Sequence, residues 1–301
     1  MKKHSVATVI NFCTNESRFI KSCLEQALVF SRQVVVSVSS HFFDGTPENR
    51  ALLAEIYAAF PQCNFVEYPF APKNIRRSIL KAVGSEHFWH CVSRLVGLHC
   101  LREEIDTVFF LDADEVADGE RVQEWLDYSD YQQHRVLKLA NYWYFREPCH
   151  RAEALEDSIV LVQKKALTAD LLLHSDERCA LYNDLPGPKR RMVAGVDGLP
   201  LFHHFSWVRT QEEMLKKVRS WGHKKDRDWE SLVTQEFSAP FKGTDFVHGY
   251  RFFPVSPPFS ISLETPKFPP KGGRSVRRFT EGKLFDLIRL KKTSLWRSLI
   301  S

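Results

Sequence analysis

Val108-Phe109-Phe110-Leu111-Asp112-Ala113-Asp114-Glu115-Val116 sets four consecutive large apolar residues directly against three carboxylates. Such an apolar run suits a strand covered on both faces, and a strand of that kind delivers the residues after it to the rim of a sheet. If the extended conformation persists, its period of two turns Asp112 and Asp114 to one side and Ala113 to the other. Adjacent carboxylates repel unless something positive lies between them, and a divalent cation with phosphate oxygens meets that need. The plainer alternative is a polar strand end before a helix, with Asp114 or Asp118 as its cap.

Working outward, the stretch before this junction alternates in type. Val6 to Phe12 reads as a strand, Glu16 to Phe30 as a helix, Gln33 to Val38 as a strand, and Pro47 to Phe60 as a helix. Asn64 to Tyr68 is a third strand, Glu86 to Arg102 a third helix, and Thr107 to Leu111 the fourth strand. Alternation of this kind implies parallel strands joined by helical crossovers, with the ligand crevice beyond the strands' carboxyl ends. The acidic cluster falls at such an end. Further on, Val136 to Ala140, Ser158 to Val162 and Leu201 to Trp207 read as strands, and Thr210 opens a helix to about Trp221. Asp176 to Asp197, polar and rich in Pro and Gly, reads as loop. The six prolines from Pro254 to Pro270 predict an extended strap, and Lys283 to Ile300 has the apolar spacing of an amphipathic helix.

Composition excludes several classes. With 301 residues, 44% hydrophobic and 26% charged, the chain has ordinary globular usage and room for one large α/β domain plus an appendage, or for two modest domains. The 23 phenylalanines predict thick aromatic packing. A net charge of +5 is too mild to call for nucleic acid. The basic residues concentrate from Lys267 onward, however, so the C-terminal helix is expected to make peripheral contact with an anionic membrane surface or to fold back on the domain. Seven cysteines without a Cys-x-x-Cys pair imply neither a disulfide framework nor a zinc ribbon, and a reducing, cytoplasmic compartment is expected. The apolar run after Met1-Lys2-Lys3 is too short, and too soon broken by Asn11, for a signal peptide.

Asp112-Ala113-Asp114, after an apolar strand about a third of the way along, resembles the Asp-x-Asp motif of GT-A-fold glycosyltransferases of the family-2-like kind. Thr14-Asn15-Glu16-Ser17-Arg18-Phe19-Ile20 is similar to their Asn-Glu turn after strand one, and Ser39 to Pro47 to a stretched Asp-Gly-Ser/Thr loop containing Asp44. Arg94 resembles the arginine those enzymes direct at the phosphates. Leu201-Phe202-His203-His204-Phe205-Ser206-Trp207-Val208-Arg209 resembles a late histidine-aromatic motif whose His can complete the metal shell. On a strand His203 and His204 face opposite ways, so one serves, and the motif's register selects His204. The acidic residue that ends strand two and reads the base in the common pattern is replaced by Ser37, Val38 or Ser39.

The resemblance spans roughly residues 5–210 and implies an α/β fold, a Rossmann-like mixed sheet flanked by helices, with a helical and extended C-terminal extension. It divides the chain into a catalytic part at 1–210, a helical acceptor-side extension at 211–253, and a Pro-rich strap with a basic amphipathic helix at 254–301. The implied activity is metal-dependent transfer of a sugar, such as a hexose, from a UDP- or GDP-sugar to a glycan, lipid or protein. Mn²⁺ or Mg²⁺ would be held by Asp112, Asp114 and His204, and the nucleotide by Thr14, Asn15, Glu16, Asp44, Arg94, Asp112 and Ala113. A general base is required if the anomeric centre inverts. Glu156-Asp157 and Asp176-Glu177 both offer paired carboxylates, and Asp176, in the loop before His204, is the favoured residue. Asp245, His248 and Tyr250 are candidates for the acceptor side, Lys217 and His223 for basic contacts, and Trp143, Tyr144, Trp207 and Trp221 for stacking. Asp112-Ala113-Asp114-Glu115-Val116 also fits the haloacid-dehalogenase phosphatase pattern, with Asp112 as nucleophile. Three strand-helix units precede it here, however, where that motif usually opens its domain. A non-catalytic module that binds nucleotide-sugar or polyanion is the third reading.

Overall fold

Alternation of apolar residues buries both faces of the first strands. In β1 (Val6–Phe12) Val6, Ile10 and Phe12 face one core and Ala7 and Val9 the other. The computed structural model describes residues 4–74, 85–174, 177–220, 226–264, 266–272 and 276–289. After β1 come α1 (Ser17–Phe30), β2 (Gln33–Ser39), α2 (Arg50–Ala59), β3 (Asn64–Tyr68), α3 (Ser85–His99), β4 (Thr107–Asp112), β5 (Glu115–Ala117) and α4 (Gly119–Tyr128). Then come β6 (Val136–Phe145), β7 (Glu147–Gln163), α5 (Ala169–His174), α6 (Glu177–Asp184), β8 (Lys189–Val193), β9 (Phe202–Trp207), α7 (Gln211–Ser220) and α8 (Trp229–Phe237). The short β10 (Phe252–Pro254) and β11 (Arg277–Arg278) precede α9 (Glu281–Arg289).

The described strands form one mixed sheet in the order β11-β3-β2-β1-β4-β7-β6-β9-β5, with β8 on β6 and β10 on β7. Strands β11 to β4 are mutually parallel, β7 reverses the direction, and β6 and β9 are parallel to each other. Helices cover both faces, so the fold is mixed α/β. Phe19, Ile20 and Leu24 of α1, Leu53 and Ile56 of α2, and Val122, Trp125 and Leu126 of α4 pack on one side with Phe109 and Leu111. Phe88, Trp89, Val92 and Val96 of α3 pack on the other with Val108 and Phe110, joined by Leu172 and Leu173 of α5. Burying a side chain of this size contributes about 1.5–3 kcal/mol. A smaller aromatic cluster joins Trp143, Phe145 and Trp207 to Met214 of α7 and Trp229 and Val233 of α8.

Two glycines set helix approach. A Cβ on Gly97 would lie 2.3 Å from Val9 Cγ1, so α3 can sit this close to the sheet only without one. At Gly119 it would lie 2.6 Å from the Gln26 carbonyl of α1, where α4 begins beneath its Asp118 cap.

The structure departs from the sequence reading in three places. The strands at 136–140 and 158–162 belong to a longer hairpin, β6 and β7, turned at Arg146 with φ 60. Asn141 interrupts β6 before its aromatic run Tyr142 to Phe145, and Glu147 to Asp157 of β7 is largely polar, so no continuous apolar run carries the hairpin's full length. Residues 176–197 are not all loop, since they contain α6 and β8. The chain also turns at Ala113-Asp114 instead of continuing extended, because Asp112 ends β4 and Glu115 opens β5. Within the described part of the terminal helix, Leu284 and Leu287 are buried in the α3-side core, the folded-back arrangement. Among the described residues no helix is long and apolar enough to cross a membrane, and Cys13, Cys23, Cys63, Cys91, Cys100 and Cys149 are free, outside any disulfide.

Candidate active site

The carboxyl ends of β1, β2, β3 and β4 open onto a cavity of about 350 Å³. Phe12, Ser39, Tyr68 and Asp112 mark those ends on its wall, as the parallel register requires. The opposite wall comes from β6, β7 and β9, with Trp143, Glu156, Ser158, His204 and Ser206, and the rim from Lys217 of α7 and from His248.

Asp112 lies next to Asn11 in the β1-β4 ladder, and Asn11 Nδ2 donates to its Oδ1 at 3.4 Å. Arg94 of α3 donates to the same oxygen at 3.4 Å, and Arg178 of α6 to Oδ2 at 3.1 Å. Burial opposes ionisation here, but Arg178 and Arg94, with His90 and His204, outweigh it and hold the carboxyl well below the usual range. Arg178 also grips the fully buried Glu115 through both oxygens, at 2.7 Å for Nη2 to Oε1, and donates to the Phe110 carbonyl at 3.1 Å. Ser158 Oγ completes the Glu115 carboxylate at 2.8 Å. This network ties α6, β4, β5 and β7 together beneath the pocket floor.

Asp114 has different neighbours. His204 Nε2 lies 3.8 Å from its Oδ1, while Arg209 and Lys217 lie 3.7 and 3.9 Å from its Oδ2. Arg209 is committed to Glu16, to the Asn15 carbonyl at 3.0 Å and to the Ser206 carbonyl at 2.9 Å, and Lys217 donates to Ser206 Oγ at 2.8 Å. Burial, followed by Glu16, pushes Asp114 up to about 7 against the pull of Lys217 and Arg209. Burial lowers His204, only partly countered by Glu115 and Glu156, so its imidazole is neutral near pH 7 and has a lone pair to offer. Its Nδ1 is buried without a hydrogen-bond partner. Pairing of β9 with β5 and β6 places His204 opposite Glu115 and Trp143. His203 points the other way, shares a 2.8 Å hydrogen bond with Tyr144 Oη, and is pushed down to about 3 by burial and then by Arg121 and Arg151.

At the far end Glu156 projects from β7 with His248 Nε2 3.6 Å away and Tyr250 beside it. Burial raises its carboxyl above the ordinary value, against His204 and Tyr250. Asp245 lies off the pocket wall: its carboxylate accepts the Val247 and His248 backbone N–H groups at 2.6 Å each, which shapes the loop carrying His248.

Of the residues singled out in the sequence, Asn15, Glu16, Asp112, Ala113, Asp114, Trp143, Glu156, His204, Trp207, Lys217 and His248 line this one cavity. Thr14 is buried behind it and donates to Glu48 through its backbone and hydroxyl, and Arg94 stands behind Asp112. Asp44 is exposed and accepts the Thr46 N–H at 2.8 Å within its own turn. Asp176, Trp221 and His223 lie outside the described residues. Arg178 escapes sequence reasoning because α6 is a short polar helix without an apolar stripe. Arg209 closes the histidine-aromatic stretch Leu201 to Arg209, but the sequence gives it no role of its own. The donor set expected for a metal is incomplete in the same sense: Asp114 and His204 face each other, whereas Asp112 is held by Arg94, Arg178 and Asn11.

No family model and no curated protein matches the chain. Among solved structures, the mannosyltransferase PcManGT from Pyrobaculum calidifontis, in complex with GDP-Man and Mn²⁺, aligns at 11% identity and TM-score 0.41, over 73% of this chain and 62% of that one. The glycosyltransferase GlyE of Streptococcus pneumoniae TIGR4 aligns at 11% and 0.37, over 78% and 65%. A Mycobacterium sp. strain JC1 homologue of Mycobacterium tuberculosis rv0371c aligns at 9% and 0.36, over 65% and 88%. The chain thus spans less than two thirds of either glycosyltransferase, and at such low similarity the reading of the site rests on its own residues.

Proposed function

We propose that this chain is a GT-A-type glycosyltransferase that moves a sugar from a nucleotide-diphosphate donor to an acceptor hydroxyl on a glycan, lipid or protein. The observation that carries the reading is the convergence of Asp114, His204, Arg178, Arg209 and Lys217 with Glu156 in one crevice at the carboxyl ends of a parallel sheet core. The 3.8 Å approach of His204 Nε2 to Asp114 Oδ1 fits a cation site made from one carboxylate and one imidazole. Mn²⁺ or Mg²⁺ would be held by Asp114 and His204, with Asp112 reaching it through water. When bound, the ion supplies positive charge at the diphosphate that departs.

The chain's own residues do the rest. Arg178 and Lys217 bring fixed positive charge to the anionic leaving group. Glu156 takes the proton of the acceptor hydroxyl as its oxygen bonds to the anomeric carbon and the nucleoside diphosphate leaves. The sequence favours Asp176 for that role, and Glu156 holds it among the described residues. Without an acid at the end of β2, the base is read by other groups near Ser39, Tyr68 and His90 on the pocket wall. Seven cysteines without a Cys-x-x-Cys pair suit a reducing compartment, and we assign the reaction to the cytoplasmic side. Incubating the protein with UDP- and GDP-hexoses and Mn²⁺ should release nucleoside diphosphate in wild type but not in Asp114→Asn. Equal release in that variant would refute the reading.

A further inference from the structure

Outside the pocket, metal-ligating side chains meet at the start of β7. The carboxylate of Glu147, the thiol of Cys149 and a ring nitrogen of His150 all lie within 4.8 Å of one another. Local geometry explains the convergence. Arg146 reverses the chain with φ 60, and Phe145 pairs with Glu147 across the resulting tight hairpin. On the other edge His150 pairs with Pro254 of β10, and the Cys149 carbonyl accepts the Val255 N–H at 2.8 Å. The His150 ring packs 4.8 Å from that of Phe241. The backbone carrying the three donors is therefore held on both edges, so a ligand would find them in place.

The polar groups themselves are left undersatisfied. His150 Nδ1 is sealed from solvent without a hydrogen-bond partner, and the Cys149 thiol reaches only Glu147 Oε2, at 3.6 Å. The adjacent Arg146 does not neutralise Glu147, because its guanidinium goes to the Glu236 carboxylate and to the Glu236 and Ala239 carbonyls, each at 3.1 Å.

We propose that Glu147, Cys149 and His150 bind one divalent ion of the zinc class, at a site separate from the pocket. One sulfur, one nitrogen and one oxygen donor suit a tetrahedral borderline-soft ion with water in the fourth position. A thiolate ligand selects against Mg²⁺ and Mn²⁺, which sets this site apart from the one assigned to Asp114 and His204. On binding, Cys149 loses its proton to solvent and its sulfur bonds to the ion. Thiolate and carboxylate together then balance the two positive charges.

Titrating the full chain with Co²⁺ tests this. The expected result is a thiolate-to-cobalt charge-transfer band that saturates at one equivalent and is displaced by Zn²⁺. It should vanish in Cys149→Ser, weaken at least tenfold in apparent affinity in His150→Ala, and persist in Asp114→Asn. Absence of the band from wild type, or its survival in Cys149→Ser, would overturn the proposal. Its loss in Asp114→Asn would overturn the separation of the two sites. Circular dichroism on each variant verifies folding, and His150→Ala keeps the test decisive should Cys149→Ser fail to fold.

Discussion

His204 Nε2 lies 3.8 Å from Asp114 Oδ1 because strand pairing sets His204 opposite Glu115, the residue immediately after Asp114. Two proposed metal ligands brought together by a β-ladder should act as a unit. His204→Ala is expected to raise the Mn²⁺ concentration needed for half-maximal turnover by at least about tenfold, the scale on which metal sites respond to loss of a supporting group. Unchanged metal dependence would remove His204 from the site.

Glu156 is assigned to chemistry, not to donor binding. Glu156→Gln should therefore lower kcat by about 10²- to 10⁴-fold, the usual contribution of a general base, and leave donor affinity near wild type. Steady-state kinetics with a fixed acceptor reads the split between kcat and KM.

Arg178 holds Glu115, which is fully buried, while also contacting Asp112. Removing it strands a buried carboxylate, so Arg178→Ala should cost about 3–5 kcal/mol in denaturant unfolding. Lysine offers a point charge instead of a fork, so Arg178→Lys should recover only part of the loss.

Much of this fold is legible in the sequence, and the rest is hidden for physical reasons. The bounds of β1 and β3 follow from their apolar runs, and the opposite facing of His203 and His204 follows from strand period alone. The conformation at Ala113-Asp114 is not readable, because a tertiary pairing of Glu115 with His204 ends the strand there. Arg178 is obscured because it sits on a short polar helix without an apolar stripe, whereas Glu156 is visible as one of two carboxylate pairs but sequence alone favours Asp176 over it. Asp44 matches its motif in letters but sits in an exposed turn, because a motif specifies residue order and not where the loop packs.

The pair of Asp157 and Lys138, 2.8 Å apart and buried, yields a pH signature. Burial opposes ionisation of Asp157, but hydrogen bonds from Lys138 and Arg191 prevail and lower its pKa. A carboxyl depressed in the folded state stabilises fully above its unfolded value and loses that contribution as pH falls below about 4. Asp157→Asn should cost about 3 kcal/mol at pH 7, and the difference from wild type should shrink on acidification. Unfolding curves between pH 7 and pH 3 provide the measurement.

The central claim is that the crevice at Asp114 binds a nucleoside-diphosphate sugar together with a divalent ion. Isothermal titration of the wild-type chain with UDP- and GDP-sugars, with and without Mn²⁺, tests it most directly. One donor should bind with an affinity that depends on Mn²⁺, and Asp114→Asn should abolish that dependence. Failure of every such donor to bind, or binding equally tight with and without the ion in wild type and variant alike, would contradict the claim.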